Sequence, residues 1–136
     1  MLFTKASEYA LMSMVVIARN SSPQDVESLA GELGISKSFL AKILQGLARA
    51  GILRSFKGAK GGFALQKEAS EVTVLEIVRA ADANSATVFA CAGDKCNCGG
   101  GEEKATLCSI WPFLHRLQVK VDDVLLGTTL ADLTND

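Results

Sequence analysis

Four cysteines are the residues of this chain whose type and spacing are best suited to chemistry. They are the only cysteines among 136 residues, and they lie within eighteen positions of one another in a glycine-rich segment. Clustered thiols in such a segment indicate a ligand set more readily than buried small hydrophobic side chains. Because thiolates suit iron–sulfur clusters and zinc alike, the segment predicts an iron–sulfur cluster, with zinc as the alternative. The four residues are Cys91, Cys96, Cys98 and Cys108.

Composition indicates the setting in which these thiols would act. Hydrophobic residues make up 49% of the sequence and there are only two prolines, as expected for one folded domain with a sizeable core. The apolar run Leu11–Ala18 is too short to span a bilayer, and the first residues do not resemble a signal peptide. We therefore expect a cytoplasmic protein without a membrane segment, in which thiols stay reduced and a disulfide framework is disfavoured.

The net charge of −1 conceals a strong asymmetry along the chain. Residues 1–67 contain nine basic and four acidic residues, a net charge of +5, whereas residues 68–136 contain five basic and eleven acidic residues, a net charge of −6. Two ordinary solvated faces could give this difference. It is also typical of a DNA-binding module joined to a separate sensing or assembly module.

Hydrophobic periodicity predicts three helices in the basic half, over Lys5–Arg19, Val26–Leu33 and Lys37–Ala50. Asp25 and Ser36 precede the second and third helices as capping residues. The outer face of the third helix is small, polar and basic, which predicts a helix-turn-helix with this helix in the recognition position. A small helical hairpin that binds no DNA could show the same pattern.

A glycine-rich hairpin follows the predicted recognition helix. Ile52–Lys57 and Phe63–Leu65 are strand candidates, and the intervening turn carries Lys60. This hairpin predicts the wing of a winged helix-turn-helix, with Lys57 and Lys60 suited to phosphates or to a narrow minor groove. A nucleotide-binding phosphate loop is the rival interpretation, but no Gly-Lys-Ser/Thr follows and no helix starts at the turn.

The acidic half contains two further predicted helices. Thr73 and Glu76 form a capping box that opens a helix over Val74–Ala81. From about Ser109 to Gly127 the apolar residues form a seam that would pack on another long helix, in the same chain or in a second subunit. The predicted organisation is a winged helix-turn-helix domain over residues 1–82, a cysteine-rich cluster-binding loop over 83–108, and a dimerisation helix with a C-terminal tail over 109–136.

The order of these motifs resembles the Rrf-type family of bacterial winged helix-turn-helix transcription regulators, which has IscR-like and NsrR-like members. The resemblance implies a mainly α fold with a small β-hairpin wing and a long C-terminal dimerisation helix. It further implies a homodimer that binds a near-palindromic double-stranded DNA operator. The motifs that carry it are Leu2-Phe3-Thr4-Lys5, Ile35-Ser36-Lys37-Ser38-Phe39-Leu40 and the wing sequence from Lys57 to Leu65.

The resemblance also implies a set of DNA-contacting residues. Ala41 and Lys42 stand where IscR-like members carry Glu and Gln, which help to select the operator, so the operator of this protein should differ. Lys42 could reach guanine acceptors or a phosphate. The predicted DNA-binding residues are Ser36, Lys37, Ser38, Phe39, Lys42, Lys57 and Lys60.

The cysteine spacing departs from the family pattern of three evenly spaced cysteines. Cys91 and Cys108 fit the first and last ligand positions, and either Cys96 or Cys98 could be the middle one. In NsrR-like members an acidic residue of the first helix completes the cluster from the partner subunit, which makes Glu8 the candidate fourth ligand. A solvent-facing carboxylate at Glu8 and ligation by all four cysteines are the alternatives.

The sequence therefore predicts a regulator that senses redox state, nitric oxide or iron–sulfur status through a two-iron, two-sulfur (2Fe-2S) cluster. A cluster-free thiol or zinc-dependent regulator on the same fold is the first alternative. A small iron–sulfur electron carrier is the second, although such a carrier needs neither a basic wing nor a recognition helix. We expect no enzyme activity, because the chain has no Ser/His/Asp set and no cofactor loop.

Overall fold

The computed structural model describes residues 3–58, 61–82, 86–87 and 111–135. Within these ranges the described helices are too short or too polar to cross a bilayer. A short 3₁₀ helix at Ala69–Glu71 joins the hairpin to the fourth α-helix. The elements are α1 (Lys5–Arg19), α2 (Val26–Leu33), α3 (Lys37–Arg49), β1 (Leu53–Phe56), β2 (Gly62–Leu65), α4 (Val74–Ala81), α5 (Trp111–Gly127) and α6 (Leu130–Thr134).

Side-chain caps begin the helices of the basic half where the sequence predicts them. The Asp25 carboxylate accepts the Ser28 N–H at 2.9 Å and starts α2. The Ser36 hydroxyl accepts the Phe39 N–H at 3.3 Å and starts α3. These bonds satisfy backbone donors that have no partner inside the helix, so each helix has a defined first residue.

The core lies between the inner faces of α1, α3 and α4. Leu40, Leu44 and Leu47 of α3 are fully buried against Met14 of α1 and Ile77 of α4. Burial of one such side chain contributes about 1.5–3 kcal/mol, so this face holds α3 firmly in one orientation. Because the inner face is fixed, the polar and basic residues on the opposite face of α3 must point to solvent.

The wing is anchored by a pairing that the sequence did not reveal. β1 and β2 are antiparallel, with Leu53 opposite Leu65 and Phe56 opposite Gly62. On the other edge of β2, Phe63 and Gln24 exchange backbone hydrogen bonds of 2.8 and 2.9 Å. The loop before α2 therefore pairs with β2 at one residue, in the position of a third strand, and ties the hairpin to the helix-turn-helix.

The C-terminal elements pack back onto the basic half of the chain. Thr73 and Thr129 form an isolated antiparallel bridge, and the Leu130 N–H donates to the Val72 carbonyl at 2.8 Å. Leu130 of α6 is fully buried in the main core. α5 packs on α4 through Leu125 in a second, smaller cluster, so both C-terminal helices are joined to the winged helix.

Candidate nucleic-acid interface and sensing segment

The outward face of α3 carries a continuous polar and basic stripe. Ser38, Lys42, Gln45 and Arg49 follow one another at steps of four, three and four residues, so they lie on one side of the helix. All four are exposed, because the apolar side chains of α3 are directed into the core. An exposed stripe of this kind on a helix held from behind is suited to enter a DNA major groove.

Two of the predicted contact residues also have structural roles at the start of α3. Ser36 is the N-cap of the helix, as described above, and it remains exposed. The Phe39 ring packs edge-on against Tyr9 of α1, with 5.9 Å between ring centroids and an interplanar angle of 87°. Phe39 is 38% exposed, so part of its ring still faces the surface. The aromatic contact ties the N-terminal end of α3 to α1.

The wing presents Lys57 at the end of β1. Lys57 is exposed and directly follows the last residue of the strand, whereas the predicted contact Lys60 lies outside the described residues. Gly58 has φ +115°, a conformation that side chains rarely adopt. A Cβ on Gly62 would lie 2.5 Å from the Gln24 carbonyl oxygen, so the contact with the third strand requires glycine.

Four exposed cations lie on α3 and the wing. In the part of the chain that the structure describes, no carboxylate lies within 4.0 Å of any of the four. Away from this surface, Lys67 and Arg79 pair with Glu76 and Asp122 at 3.6 and 3.9 Å. Exposed cations without anionic partners keep their charge available for phosphates. The four residues are Lys42, Arg49, Arg54 and Lys57.

Two open grooves border the wing. The larger, of about 600 Å³, lies between the start of α2 and the hairpin, and Lys37 is the residue of α3 that lines it. The smaller, of about 400 Å³, lies between α3 and the hairpin, beside Gln45 and Arg49. Ser55 lines both. Lys37 reaches the Glu27 carboxylate only at 4.0 Å, and both side chains are largely exposed.

Asp25 places a second carboxylate at the larger groove. The Ser28 N–H that it accepts holds the pKa of this carboxyl below its usual range. The carboxylate is therefore ionised over the neutral range and belongs to the helix cap.

The predicted contact set omits three basic or polar residues of this surface, namely Gln45, Arg49 and Arg54. The helical periodicity of the sequence does place Gln45 and Arg49 on the outer face of α3. Arg54 has no comparable signal, because a four-residue strand does not show which of its faces is exposed.

The predicted cluster ligands fall largely outside the described residues. Cys91, Cys96, Cys98 and Cys108 all lie there, and the described residues contain no group of three His, Cys, Asp or Glu side chains that could hold a metal. Glu8 is described, on the exposed face of α1. Its carboxylate lies 3.2 Å from the Lys5 Nζ, and the side chain is 51% exposed.

Comparison with known proteins decides the family. A family model described as Rrf2, an iron-dependent transcriptional regulator, matches residues 3–136. This chain belongs to the Rrf2 family. An HTH-type transcriptional regulator from Aquifex aeolicus strain VF5 is 31% identical to this Rrf2 protein over 137 residues, which cover 99% of this chain and 92% of the relative.

Two further proteins extend the likeness. The HTH-type transcriptional regulator IscR of Klebsiella pneumoniae strain 342 is 31% identical over 138 residues, covering 100% of this chain and 81% of IscR. The solved structure of CymR, the global cysteine regulator of B. subtilis, is 25% identical and superimposes with a TM-score of 0.77. The superposition covers 99% of this chain and 97% of CymR.

These matches confirm the predicted family, the winged-helix fold and the absence of enzyme activity. The Rrf2 protein is a DNA-binding transcriptional regulator, mainly helical, with a two-stranded antiparallel wing among its described residues.

Proposed function

We propose that this Rrf2 protein is a cytoplasmic homodimer that binds a near-palindromic operator and adjusts its affinity through an iron–sulfur cluster held by residues 91–108. The observation that supports operator binding most directly is the set of exposed cations on α3 and the wing, for which the described residues provide no acidic partner within 4.0 Å. The two further parts of the proposal, the dimer and the cluster, are supported by α5 and by the cysteine segment.

On DNA, we assign α3 to the major groove and the wing to the adjacent minor groove. One phosphate strand separates two such grooves, and the open groove between α3 and the hairpin, beside Gln45 and Arg49, leaves room for it. Ser38 and Lys42 on α3 would contact base edges and phosphates, while Lys57 enters the minor groove. The proposed contact set is Ser36, Lys37, Ser38, Phe39, Lys42, Lys57 and Lys60.

Dimer formation is supported by apolar side chains that α5 leaves exposed. Phe113 and Val124 are 54% and 65% exposed, and with Leu117 they lie on one side of the helix at steps of four and seven residues. Leu114 and Leu125 already bury a neighbouring side of α5 in the chain's own fold. The remaining stripe is suited to the same helix of a second subunit, and a two-fold dimer would read two half-sites.

The donor set fits an iron–sulfur cluster by its chemistry. Cys91 and Cys108 would be the outer ligands, Cys96 or Cys98 the middle one, and Glu8 of the other subunit the fourth. The Glu8 carboxylate is exposed and pairs with the exposed Lys5, which is a weak interaction that a stronger ligand bond would replace. When bound, a 2Fe-2S cluster would supply a centre that responds to redox state, nitric oxide or cluster supply.

The chain's own contacts provide a route from the cysteine segment to α5. Ala86 precedes Cys91 by five residues, and the side chain of Gln118 in α5 donates to its carbonyl at 2.6 Å. Trp111, the first described residue of α5, follows Cys108 by three residues. A rearrangement of the cysteine segment would therefore act on α5 at two places, at Trp111 where the helix begins and at Gln118. If α5 forms the dimer contact, the spacing of the two α3 helices would change with it.

A cluster-free thiol or zinc-dependent regulator is the second candidate. It is supported by the likeness to CymR, which is described as a global cysteine regulator. Thiolates alone can bind zinc or undergo reversible oxidation, so the same four cysteines serve this function equally well.

Anaerobic purification of the intact protein tests the choice between the two. We expect a coloured protein that contains iron and acid-labile sulfide. A colourless protein with stoichiometric zinc, or with no metal, would remove the cluster and leave DNA binding intact. The operator should be selected from a random duplex library, and its affinity measured with cluster-loaded, oxidised and metal-free protein. Equal affinity in all three states would contradict the switch.

A further inference from the structure

Arg54 and Phe56 form a cation–π pair on the wing. The Arg54 guanidinium carbon lies 5.3 Å from the centre of the Phe56 ring. Both residues belong to β1, two positions apart, and therefore lie on the same face of the strand. The ring is 38% exposed, which is high for a large hydrophobic side chain. A surface pair of this type contributes little to folding, about 0.5–1 kcal/mol.

The pair holds an arginine ready to bind an anion. Arg54 stacks on Phe56, and among the described residues no carboxylate lies within 4.0 Å of its guanidinium. Stacking restricts the long side chain and leaves the guanidinium edges open as hydrogen-bond donors. Arginine in this state matches a phosphate with two parallel bonds and loses less conformational entropy on binding.

The face of the strand decides which phosphate Arg54 can reach. Ser55 lies opposite Phe63, which is buried in the main core, and it lines the groove beside Arg49 of α3. Side chains alternate along a strand, so Arg54 and Phe56 lie on the face turned away from α3, although Phe56 also borders the groove beside α2. The minor groove is about 6 Å wide and is bordered by two phosphate strands. A wing in that groove would have one strand on the Ser55 side and the other on the Arg54 side.

We propose that Arg54 binds a backbone phosphate on the strand that lies beyond the wing, with Phe56 as the platform that positions it. This inference rests on the proposed placement of the wing in the minor groove. Lys57 would lie in the minor groove, and Lys42 and Arg49 would bind the phosphate strand on the α3 side. With Arg54 on the opposite phosphate strand, the wing is held at both borders of the groove. The contact is independent of sequence and raises affinity for all duplexes.

The salt dependence of DNA binding tests the assignment. The probe is a fluorescein-labelled random-sequence duplex of about 30 base pairs, long enough for two half-sites one turn apart. Its anisotropy is followed at several KCl concentrations with the intact protein. Each phosphate contact contributes about 0.9 to the magnitude of the slope of log K against log salt. Arg54→Ala removes one contact from each of the two subunits, so it should reduce this magnitude by about 1.8. Arg54→Lys should keep the slope and bind with intermediate affinity.

Lys67→Ala is the matched control, because it removes the same charge at the base of the hairpin, where Lys67 pairs with Glu76. Its slope should equal that of the wild type. If Lys67→Ala reduced the salt slope as much as Arg54→Ala does, the effect would come from net charge alone and the proposal would be overturned. An unchanged slope for Arg54→Ala while the wild-type protein binds would also overturn it. If the wild-type protein shows no salt-dependent binding, the placement of α3 and the wing on DNA fails as well.

The platform role is tested by a double substitution. Phe56→Leu removes the ring but keeps an apolar side chain, and it should weaken binding when Arg54 is present. In the Arg54→Ala background, Phe56→Leu should cause no further loss. Additive losses would show that Phe56 acts on its own and would overturn the pairing. Both residues are exposed, so thermal melts of all variants should coincide closely with the wild-type melt.

Discussion

The side-chain amide nitrogen of Gln118 lies 2.6 Å from the carbonyl oxygen of Ala86. The same nitrogen lies 2.9 Å from the Asp122 carboxylate, which in turn lies 3.9 Å from the Arg79 guanidinium. Ala86 is 1% exposed and has φ +70°, a backbone conformation that costs a residue with a side chain about 1–2 kcal/mol. The surroundings of Ala86, including Gln118, must therefore maintain this conformation against a local penalty.

Replacing Gln118 by Leu should lower the free energy of unfolding by about 1–3 kcal/mol, because the buried Ala86 carbonyl would lose its donor. Urea denaturation of the metal-free protein gives this value. If the segment acts on α5 as proposed, the variant should also show a smaller difference in operator affinity between cluster-loaded and metal-free protein.

Substitutions at Ala86 provide the control for this contact. Ala86→Gly removes the penalty of positive φ and also removes a buried methyl group, so its stability should stay close to that of the wild type. Ala86→Val adds a branched side chain at positive φ and should destabilise the protein by roughly 2 kcal/mol. A Val variant as stable as the Gly variant would show that the conformation of Ala86 is not maintained in solution.

Two glycines should respond in opposite directions to the same substitution. Gly62→Ala places a methyl group 2.5 Å from the Gln24 carbonyl oxygen, so it should break the third-strand pairing and cost about 1–3 kcal/mol. Gly31→Ala, within α2, meets no atom within 4 Å and should stabilise the protein by about 1 kcal/mol. Chemical denaturation measures both. Equal effects of the two substitutions would contradict the anchored wing.

These contacts show which features the sequence could predict. The first three helices and the capping box at Thr73 were predicted because a cap and a helical period are local patterns that fold the same way in many contexts. The Gln24–Phe63 pairing could not be predicted, because one paired residue in a loop has no period. The positive φ of Ala86 left no signal either, since glycine or asparagine is the usual residue there.

The candidate site was predictable to a similar degree. The periodicity of α3 separates its buried leucines from Lys42, and the wing was recognised from its glycines and Lys57. That no described carboxylate lies near Arg54 depends on how distant elements pack, which no local pattern reports. The ligand set of the cysteine segment stays a prediction, because those cysteines lie outside the described residues.

Acid should weaken the cap of α2. Because the Ser28 N–H lowers the pKa of Asp25 in the folded protein below its ordinary value, the carboxylate stabilises the folded state above that ordinary value. This contribution is lost as the pH falls through the lowered folded pKa. Asp25→Asn keeps a capping side chain that does not titrate. In urea denaturation from neutral pH down to about pH 3, the stability of the wild type should fall more steeply than that of Asp25→Asn below about pH 4. Parallel curves would show that the cap does not titrate in this way.

A charge on the exposed stripe of α5 should separate the proposed dimer. Val124 is 65% exposed and belongs to this stripe, so Val124→Asp would bury a carboxylate in the contact and should yield monomers. Val119 is 43% exposed on a different side of the same helix, and Val119→Asp should remain dimeric. Sedimentation velocity distinguishes the two states. A wild-type protein that sediments as a monomer, or a Val124→Asp variant that stays dimeric, would rule out this interface.

Glu8 should be required for cluster retention if it is the fourth ligand. Glu8→Gln keeps the shape of the side chain but removes the anionic ligand, so anaerobically purified protein should contain less iron and sulfide and bleach faster in air. Lys5→Ala is the matched control, because it breaks the 3.2 Å ion pair of Glu8 and leaves the carboxylate in place. Its iron content should equal that of the wild type. Loss of iron in both variants would show that any disturbance of α1 releases the cluster, so Glu8 would not be identified as a ligand. Full iron content in Glu8→Gln would favour ligation by all four cysteines.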